Sequence, residues 1–299
     1  MADQHTFSSV VEGYVMGLHS VALVQMKSSG TKKENLRISE EYIREAAQKR
    51  VQLICFPEFQ MGYESGGESS FDLELVAEPV NGGKFALELR SAAKKNNIHV
   101  LATIYERSDT KNTSRVYDTA MLIDNKGAII SLYRKVHLYD ALGVKESLKF
   151  IAGNSIPEPN PTPVGVVGMM ICYDIRFPEM SRILAVQGAE ILVTPSAWFQ
   201  GIMKEDHWTT LVKARSIENG LYIVAPNQVG NNFSGRSMVV DPFGIPILDM
   251  GDREGMDIVE IDLSRVHKVR KSLPLLKNRR TDLYGKHIGA FTRAHKGVN

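Results

Sequence analysis

At 299 residues, 43% hydrophobic and 23% charged, the chain has ordinary globular composition and enough length for a large α/β core. A formal net charge of +2, with acids and bases interspersed and no basic stripe carrying aromatics, argues against a nucleic-acid partner. Cys55 and Cys172 are too few for a disulfide framework, no CxxC or HExxH spacing points to a metal, and no apolar run approaches a membrane span.

The N-terminal "MADQHTFSSVVEGYVMG" lacks a basic start and a continuous apolar run, so no signal peptide is expected and a reducing, cytoplasmic setting is the default. After this leader, assigned to residues 1–19, "SVALVQM" reads as a strand and "ENLRISEEYIREAAQKR" as an amphipathic helix. "VQLICFPEF" is a short buried strand ending at a proline and an acid, "GKFALELRSAAKKNN" a helix and "IHVLATIYER" a strand. This alternation predicts an α/β sheet with helices outside it. "RVYDTAMLID" and "AIISLYRKVHL" flank "NKG" as a hairpin.

"VGVVGMMICYD" reads as a further strand, "PEMSRILAVQGA" as a helix, "EILVTPSAW" as a strand and "DHWTTLVKARSIENG" as a helix closed by Gly220. "LYIVAPNQVG", "GRSMVVDPFG" and "MDIVEIDL" complete the strand set. The Pro-rich "NSIPEPNPTPVG" reads as a loop, and the basic "RVHKVRKSLPLLKNRR" as a solvated or subunit-contacting arm. No internal sequence repeat stands out. One domain over residues 20–285 with a tail over 286–299 is the simplest organisation.

Three strand ends deliver reactive groups: Glu58 from "LICFPEF", Lys135 from "SLYRKVHLYD" and Cys172 from "GMMICYD". Strand ends and their loops form the usual ligand crevice of an α/β sheet. A thiol at Cys172 needs a base or cation beside it to become a nucleophile. Glu58 can take that proton and return it to a leaving amine. Lys135 and the backbone N–H of Tyr173 can hold an oxyanion. Singly, each has a plainer reading: a loop-capping acid, an exposed strand edge, an inert packed cysteine.

Together, "FPEF", "YRKVHL" and "CYDIRFPE", in that order, resemble the glutamate, lysine and cysteine motifs of the nitrilase, or carbon–nitrogen hydrolase, superfamily. "ARSIENGLYIVAPNQVG" and "GRSMVVDPFG" resemble its later framework segments, so the likeness runs from about Val21 to Gly285. It implies a four-layer α-β-β-α sandwich, a Glu-Lys-Cys triad of Glu58, Lys135 and Cys172, and a covalent acyl-enzyme without metal or cofactor. Glu146, in "ALGVKESLKF", matches a second glutamate that orients the lysine. True nitrilases carry Trp-Glu after the nucleophile, whereas Tyr173-Asp174 resembles the amidase and carbamoyl-hydrolase branches. "ESLKFIAGN", "DHW" and "LPLLKNRRTDLYG" are most similar to ω-amidase-type members.

The resemblance therefore implies hydrolysis of a small carboxamide with release of ammonia. An N-carbamoyl-amino-acid hydrolase or a nitrilase with the same triad is the alternative, and acyl transfer to an amine is open to the same thioester. A catalytically silent binding protein on this fold is the competing class. Arg176 suits a substrate carboxylate, or an ion pair with Asp174 or Glu179. Trp198 lines the pocket or packs in the core, with Phe199 and Met203 on the same loop, while Asn227 receives no role. Cys55 reads as structural. In the family, the helix after Cys172 pairs across a two-fold axis, which implies a homodimer or higher homo-oligomer.

Overall fold

The computed structural model describes residues 17–63, 72–110 and 113–286, so most of the assigned leader and tail lie outside the described residues. Its main strands fall into two six-stranded sheets. In the first the spatial order is Gly255–Asp262, Leu18–Gln25, Leu53–Cys55, His99–Glu106, Tyr117–Ile123, Ile129–Arg134. In the second it is Pro246–Asp249, Met238–Val240, Tyr222–Ala225, Ile191–Val193, Gly165–Met169, Asn160–Thr162.

Alternation along the strands builds the layers. In the first sheet Leu23, Leu53, Cys55, Leu101, Leu122 and Tyr133 join one core with Val167, Met169 and Val193 of the second sheet. The intervening residues Val24, Ile54, Val100, Ala102 and Met121 turn the other way. They pack on Ile43 and Ala46 of helix Lys32–Gln48 and on Phe85 and Leu89 of helix Lys84–Asn96. On the far side of the second sheet, Met180 and Leu184 of helix Pro178–Val186 and Trp208 and Val212 of helix Lys204–Asn219 close the fourth layer. This is an α-β-β-α sandwich, as the motifs implied.

Each sheet is centred on three parallel strands joined by helical crossovers. In the first sheet Val21 pairs with Leu53 and Leu53 with His99; in the second Val167 pairs with Ile191 and Ile191 with Tyr222. The same strand–helix–strand–helix–strand unit thus occurs twice, although no sequence repeat marks it. Crevices in such units open at the carboxyl ends of the strands. Glu58, Cys172, Trp198 and Asn227 each follow the end of one of these parallel strands.

Three expectations change. The strand carrying the cysteine motif stops at Met169, and Cys172 opens a 3-10 turn, Cys172–Arg176. The Pro-rich loop contains the edge strand Asn160–Thr162, where Pro161 is tolerated because an edge needs no hydrogen-bond donor on its open side. The basic C-terminal segment is not a solvated arm throughout. Helix Leu263–Ser272 buries Leu263, Val266 and Val269, and its Asp262 cap accepts from Ser264 N–H. Among the described residues no helix is long and apolar enough to cross a membrane.

Candidate active site

Cys172 sits at φ 43°, in the left-handed region that costs a non-glycine residue energy. Two anchors hold it there. Its N–H donates to Pro195 O at 2.9 Å. The fully buried Asp174 carboxylate ties down the turn: Oδ2 accepts from Ile171 N–H (2.9 Å) and Tyr133 Oη–H (2.7 Å), and Oδ1 accepts from His137 N–H (3.1 Å). His137 Nδ1 also lies 2.7 Å from Oδ1. Asp174 thereby joins the turn bearing Cys172 to the segment bearing Lys135. Sequence reasoning placed Asp174 only in a turn, or as a partner of Arg176, and missed this role.

Glu58 and Lys135 are each 1% exposed. Lys135 Nζ donates to Glu58 Oε1 at 2.7 Å and to Glu146 Oε1 and Oε2 at 3.0 and 2.9 Å. The ammonium thus gives its hydrogen bonds to these two carboxylates. Glu58 Oε2 accepts from Ala197 N–H at 2.7 Å, and its backbone carbonyl accepts from Gln228 Nε2 at 2.8 Å. Glu146 also accepts from Tyr139 N–H at 2.7 Å. Each carboxylate is therefore fixed by a partner besides the lysine.

The electrostatics follow from this crowding. Burial alone would depress the Lys135 ammonium, but the Glu146 and Glu58 carboxylates raise it well above the usual lysine value. Burial, reinforced by the Glu58 charge, pushes the Cys172 thiol well up despite Lys135. At rest the Cys172 side chain is thus held as a thiol and not as a thiolate. Burial likewise raises Glu146. Cys55 is fully buried, and burial alone raises its thiol, with no cation offered to it.

A narrow cleft opens over Cys172. Its walls are Glu146, Tyr139, Tyr173, Arg176, Trp198, Phe199 and Lys204, with Ala197. The N–H of Tyr173, the residue after Cys172, has no acceptor among the described residues. Arg176 pairs with neither Asp174 nor Glu179; its guanidinium lies 4.5 Å from the centre of the Trp198 ring. Trp198 is positioned from three sides. Its N–H donates to Asn227 Oδ1 (2.9 Å), its Nε1–H to Lys204 O (2.8 Å), and its ring lies 5.3 Å from Trp208. Asn227, left without a role by sequence, is the support beneath this wall. Met203 is exposed and caps the Lys204–Asn219 helix instead of lining the cleft.

Lys204, like Tyr139, is a cleft residue that no motif marks in the sequence. Its Nζ donates to Tyr139 Oη at 2.6 Å and rests 4.7 Å from that ring and 5.8 Å from Trp198. The site thus brings Glu58, Lys135, Glu146 and Cys172 together, with Tyr173, Arg176 and Trp198 around the same opening.

Residues 20–271 match the family model described as carbon-nitrogen hydrolase. The chain belongs to the carbon–nitrogen hydrolase family. It is 36% identical over 277 residues to a human protein named deaminated glutathione amidase, covering 89% of this chain and 83% of that one. The Escherichia coli O157:H7 protein of the same name is 35% identical over 260 residues, covering 87% and 97%. Among solved structures, a carbon–nitrogen hydrolase from Helicobacter pylori superposes with a TM-score of 0.80 at 27% identity, over 91% of this chain and 99% of that one. The Caenorhabditis elegans NitFhit protein superposes with a TM-score of 0.82 at 32% identity, over 90% and 67%. The carbon–nitrogen hydrolase match spans both sheets, so it includes every cleft residue named above.

Proposed function

We propose that this carbon–nitrogen hydrolase cleaves a small, carboxylate-bearing carboxamide through a thioester on Cys172, releasing ammonia in the simplest case. The observation that carries the reading is one cleft with a thiol at its floor, an acid–ammonium–acid cluster behind it, and two cations in its walls. Among the described residues neither Arg176 nor Lys204 meets a carboxylate. The relatives named deaminated glutathione amidase support an amide substrate.

In this mechanism Sγ of Cys172 attacks the carbonyl carbon while Glu58 takes the thiol proton. The oxygen becomes an oxyanion held by Tyr173 N–H and Lys135 Nζ. Loss of one such donor costs on the order of 10²–10³ in rate. Glu58 then protonates the departing nitrogen, leaving a thioester. Glu58 next draws a proton from water, which attacks the thioester and releases the acid. Glu146 keeps Lys135 charged and in place. Arg176 and Lys204 take the substrate carboxylate through charge-assisted hydrogen bonds, with the carboxylate replacing Tyr139 Oη on Lys204.

The test is a panel of amides, nitriles and N-carbamoyl amino acids, with ammonia measured and Cys172 followed by mass spectrometry. Turnover of carboxylated amides with a transient acyl adduct on Cys172 is the expected result. No turnover of any member and no adduct would make this a silent binding protein; full activity in Cys172→Ala would refute the mechanism.

We also propose a homodimer through the helix after Cys172. Ile183 and Val186 of helix Pro178–Val186 and Ile217 of helix Lys204–Asn219 are large apolar side chains left exposed. Beside them lies a groove walled by Arg182, Ile183, Arg279 and Tyr284. Exposed apolar surface of this kind marks an interaction face. Light scattering on purified protein checks it: a monomer at micromolar concentration would rule it out.

A further inference from the structure

One acid in the site takes no part in the mechanism above. Asp118 lies on strand Tyr117–Ile123, is 2% exposed, and points its Oδ2 at Lys135 Nζ from 3.9 Å, beyond hydrogen-bond reach. No donor among the described residues meets that Oδ2. The Glu58 carboxylate approaches the same Nζ, with Oε1 at 2.7 Å, so the two carboxyls stand around one ammonium. From the other elements packed round Asp118, the ionisable groups are Lys135, Glu146 across the lysine, Cys172 beyond, and the phenol of Tyr105 on the neighbouring strand.

The charge count decides its state. Three buried carboxyls share one ammonium, whose hydrogen bonds go to Glu58 and Glu146 and not to Asp118. With all three ionised, the site would hold an uncompensated negative charge against another carboxylate in a low-dielectric interior. Such pairs settle by sharing a proton. A proton on Asp118 also turns its unsatisfied oxygen into a donor.

We propose that Asp118 is a positioning residue that keeps a proton in the resting enzyme and donates it in a hydrogen bond to Glu58, so that the two carboxyls act as one pair. The pair holds one proton at rest. It holds two after Cys172 gives up its thiol proton, and one again once the leaving nitrogen is protonated. Water then supplies a second proton as it attacks the thioester, and that proton returns to the Cys172 sulfur. Protons balance over the cycle, and Glu58 has a neighbour that adjusts to each change in its charge. Burial and the Glu58 charge raise the Asp118 carboxyl well above the ordinary range, in keeping with a proton held at neutral pH.

The role rests on Glu58 being the base, and two measurements separate the two claims. The first needs no activity. Infrared spectra of the whole protein, grown with carboxyl-labelled aspartate, should show an isotope-sensitive protonated-acid carbonyl band at pH 7 that is absent in Asp118→Asn. Absence of that band in the wild type overturns the proposal, whether or not any amide is hydrolysed. The second is the pH profile of kcat/KM. Asparagine can still donate to Glu58 but cannot titrate. Asp118→Asn should therefore lose no more than roughly tenfold at neutral pH and hold its activity to higher pH than the wild type. Asp118→Ala, which donates nothing, should lose roughly a hundredfold. An asparagine variant as inactive as the alanine one, or one whose alkaline limb coincides with the wild type, would show that Asp118 does not work by carrying a proton.

Discussion

Replacing Asp174 with alanine removes the acceptor that joins the lysine segment to the cysteine turn. Four contacts converge on its carboxylate, from Tyr133 Oη, His137 N, His137 Nδ1 and Ile171 N. The carboxylate is fully buried, so water cannot stand in for it without entering the core. Each buried donor left alone costs about 1–3 kcal/mol, and the costs overlap because one cavity serves all of them. Breaking a buried ionic hub typically costs about 3–5 kcal/mol, which is the range anticipated here. At roughly 2–4 °C per kcal/mol for a large domain, the melting temperature should fall by about 6–20 °C. Activity at a temperature where the variant is folded should fall as well, because Cys172 holds a left-handed conformation that the Ile171–Asp174 bond helps to impose. Asp174→Asn keeps one acceptor oxygen and should fall between the two. Chemical denaturation gives the stability and steady-state kinetics the rate. An alanine variant within about 1 kcal/mol of the wild type, with unchanged kcat, would refute the role given to this residue.

Lys204→Met should raise KM for a carboxylated amide by roughly tenfold to a hundredfold, the worth of one charge-assisted hydrogen bond, and change KM for a neutral amide of equal length far less. Native protein treated with iodoacetamide should take up one label, mapped to Cys172 by peptide mass spectrometry, with Cys55 reacting only after unfolding. Asn227→Ala should raise KM by releasing Trp198, with the ring's mobility read from its fluorescence anisotropy. The pH dependence of unfolding tests Asp118 a third way. Its folded pKa is raised above the unfolded value by burial, so the folded state binds a proton that the unfolded state has lost. Stability on this account is greatest below the unfolded carboxyl pKa and declines as pH rises from there toward the folded value. The Asp118→Asn profile should be flatter across that window, as read by denaturant unfolding at a series of pH values.

Much of the fold was legible because its periodicities are clean. The helix anticipated over 34–50 forms as Lys32–Gln48, and that over 83–97 as Lys84–Asn96. The strand before Cys172 was overextended for a physical reason. Met170 and Ile171 are fully buried, so the apolar run continues two residues past the last ladder pair, and composition cannot mark where pairing stops. The run from Arg265 reads as an arm because basic residues dominate it, while three buried side chains at helical spacing, Leu263, Val266 and Val269, fix helix Leu263–Ser272 to the core. The three motifs named one reactive residue each. Asp174 stayed hidden because its partners Tyr133 and His137 lie 41 and 37 residues away. Asp118 had a signal of a kind: an acid inside a strand whose following positions are all buried.

The hydrogen bonds of Lys135 also constrain the order of events in the proposed reaction. Its hydrogen bonds at rest go to two carboxylates, so an oxyanion must compete with Glu58 and Glu146 for its N–H groups. Glu58 is the one that changes charge at that moment: on taking the Cys172 proton it becomes neutral, and its hold on Lys135 weakens just as the oxyanion forms. Glu146 stays ionised and keeps two contacts. Proton transfer thus hands one N–H from Glu58 to the substrate without moving the lysine. Glu146→Gln should break this arrangement, because a neutral amide offers Lys135 one acceptor oxygen and no charge, leaving the ammonium to follow Glu58. Single-turnover acylation should slow by roughly a hundredfold, the cost of a lost oxyanion donor, while substrate binding changes little. A variant in which KM rises and the acylation rate stays intact would show that Glu146 serves the pocket wall and not the lysine.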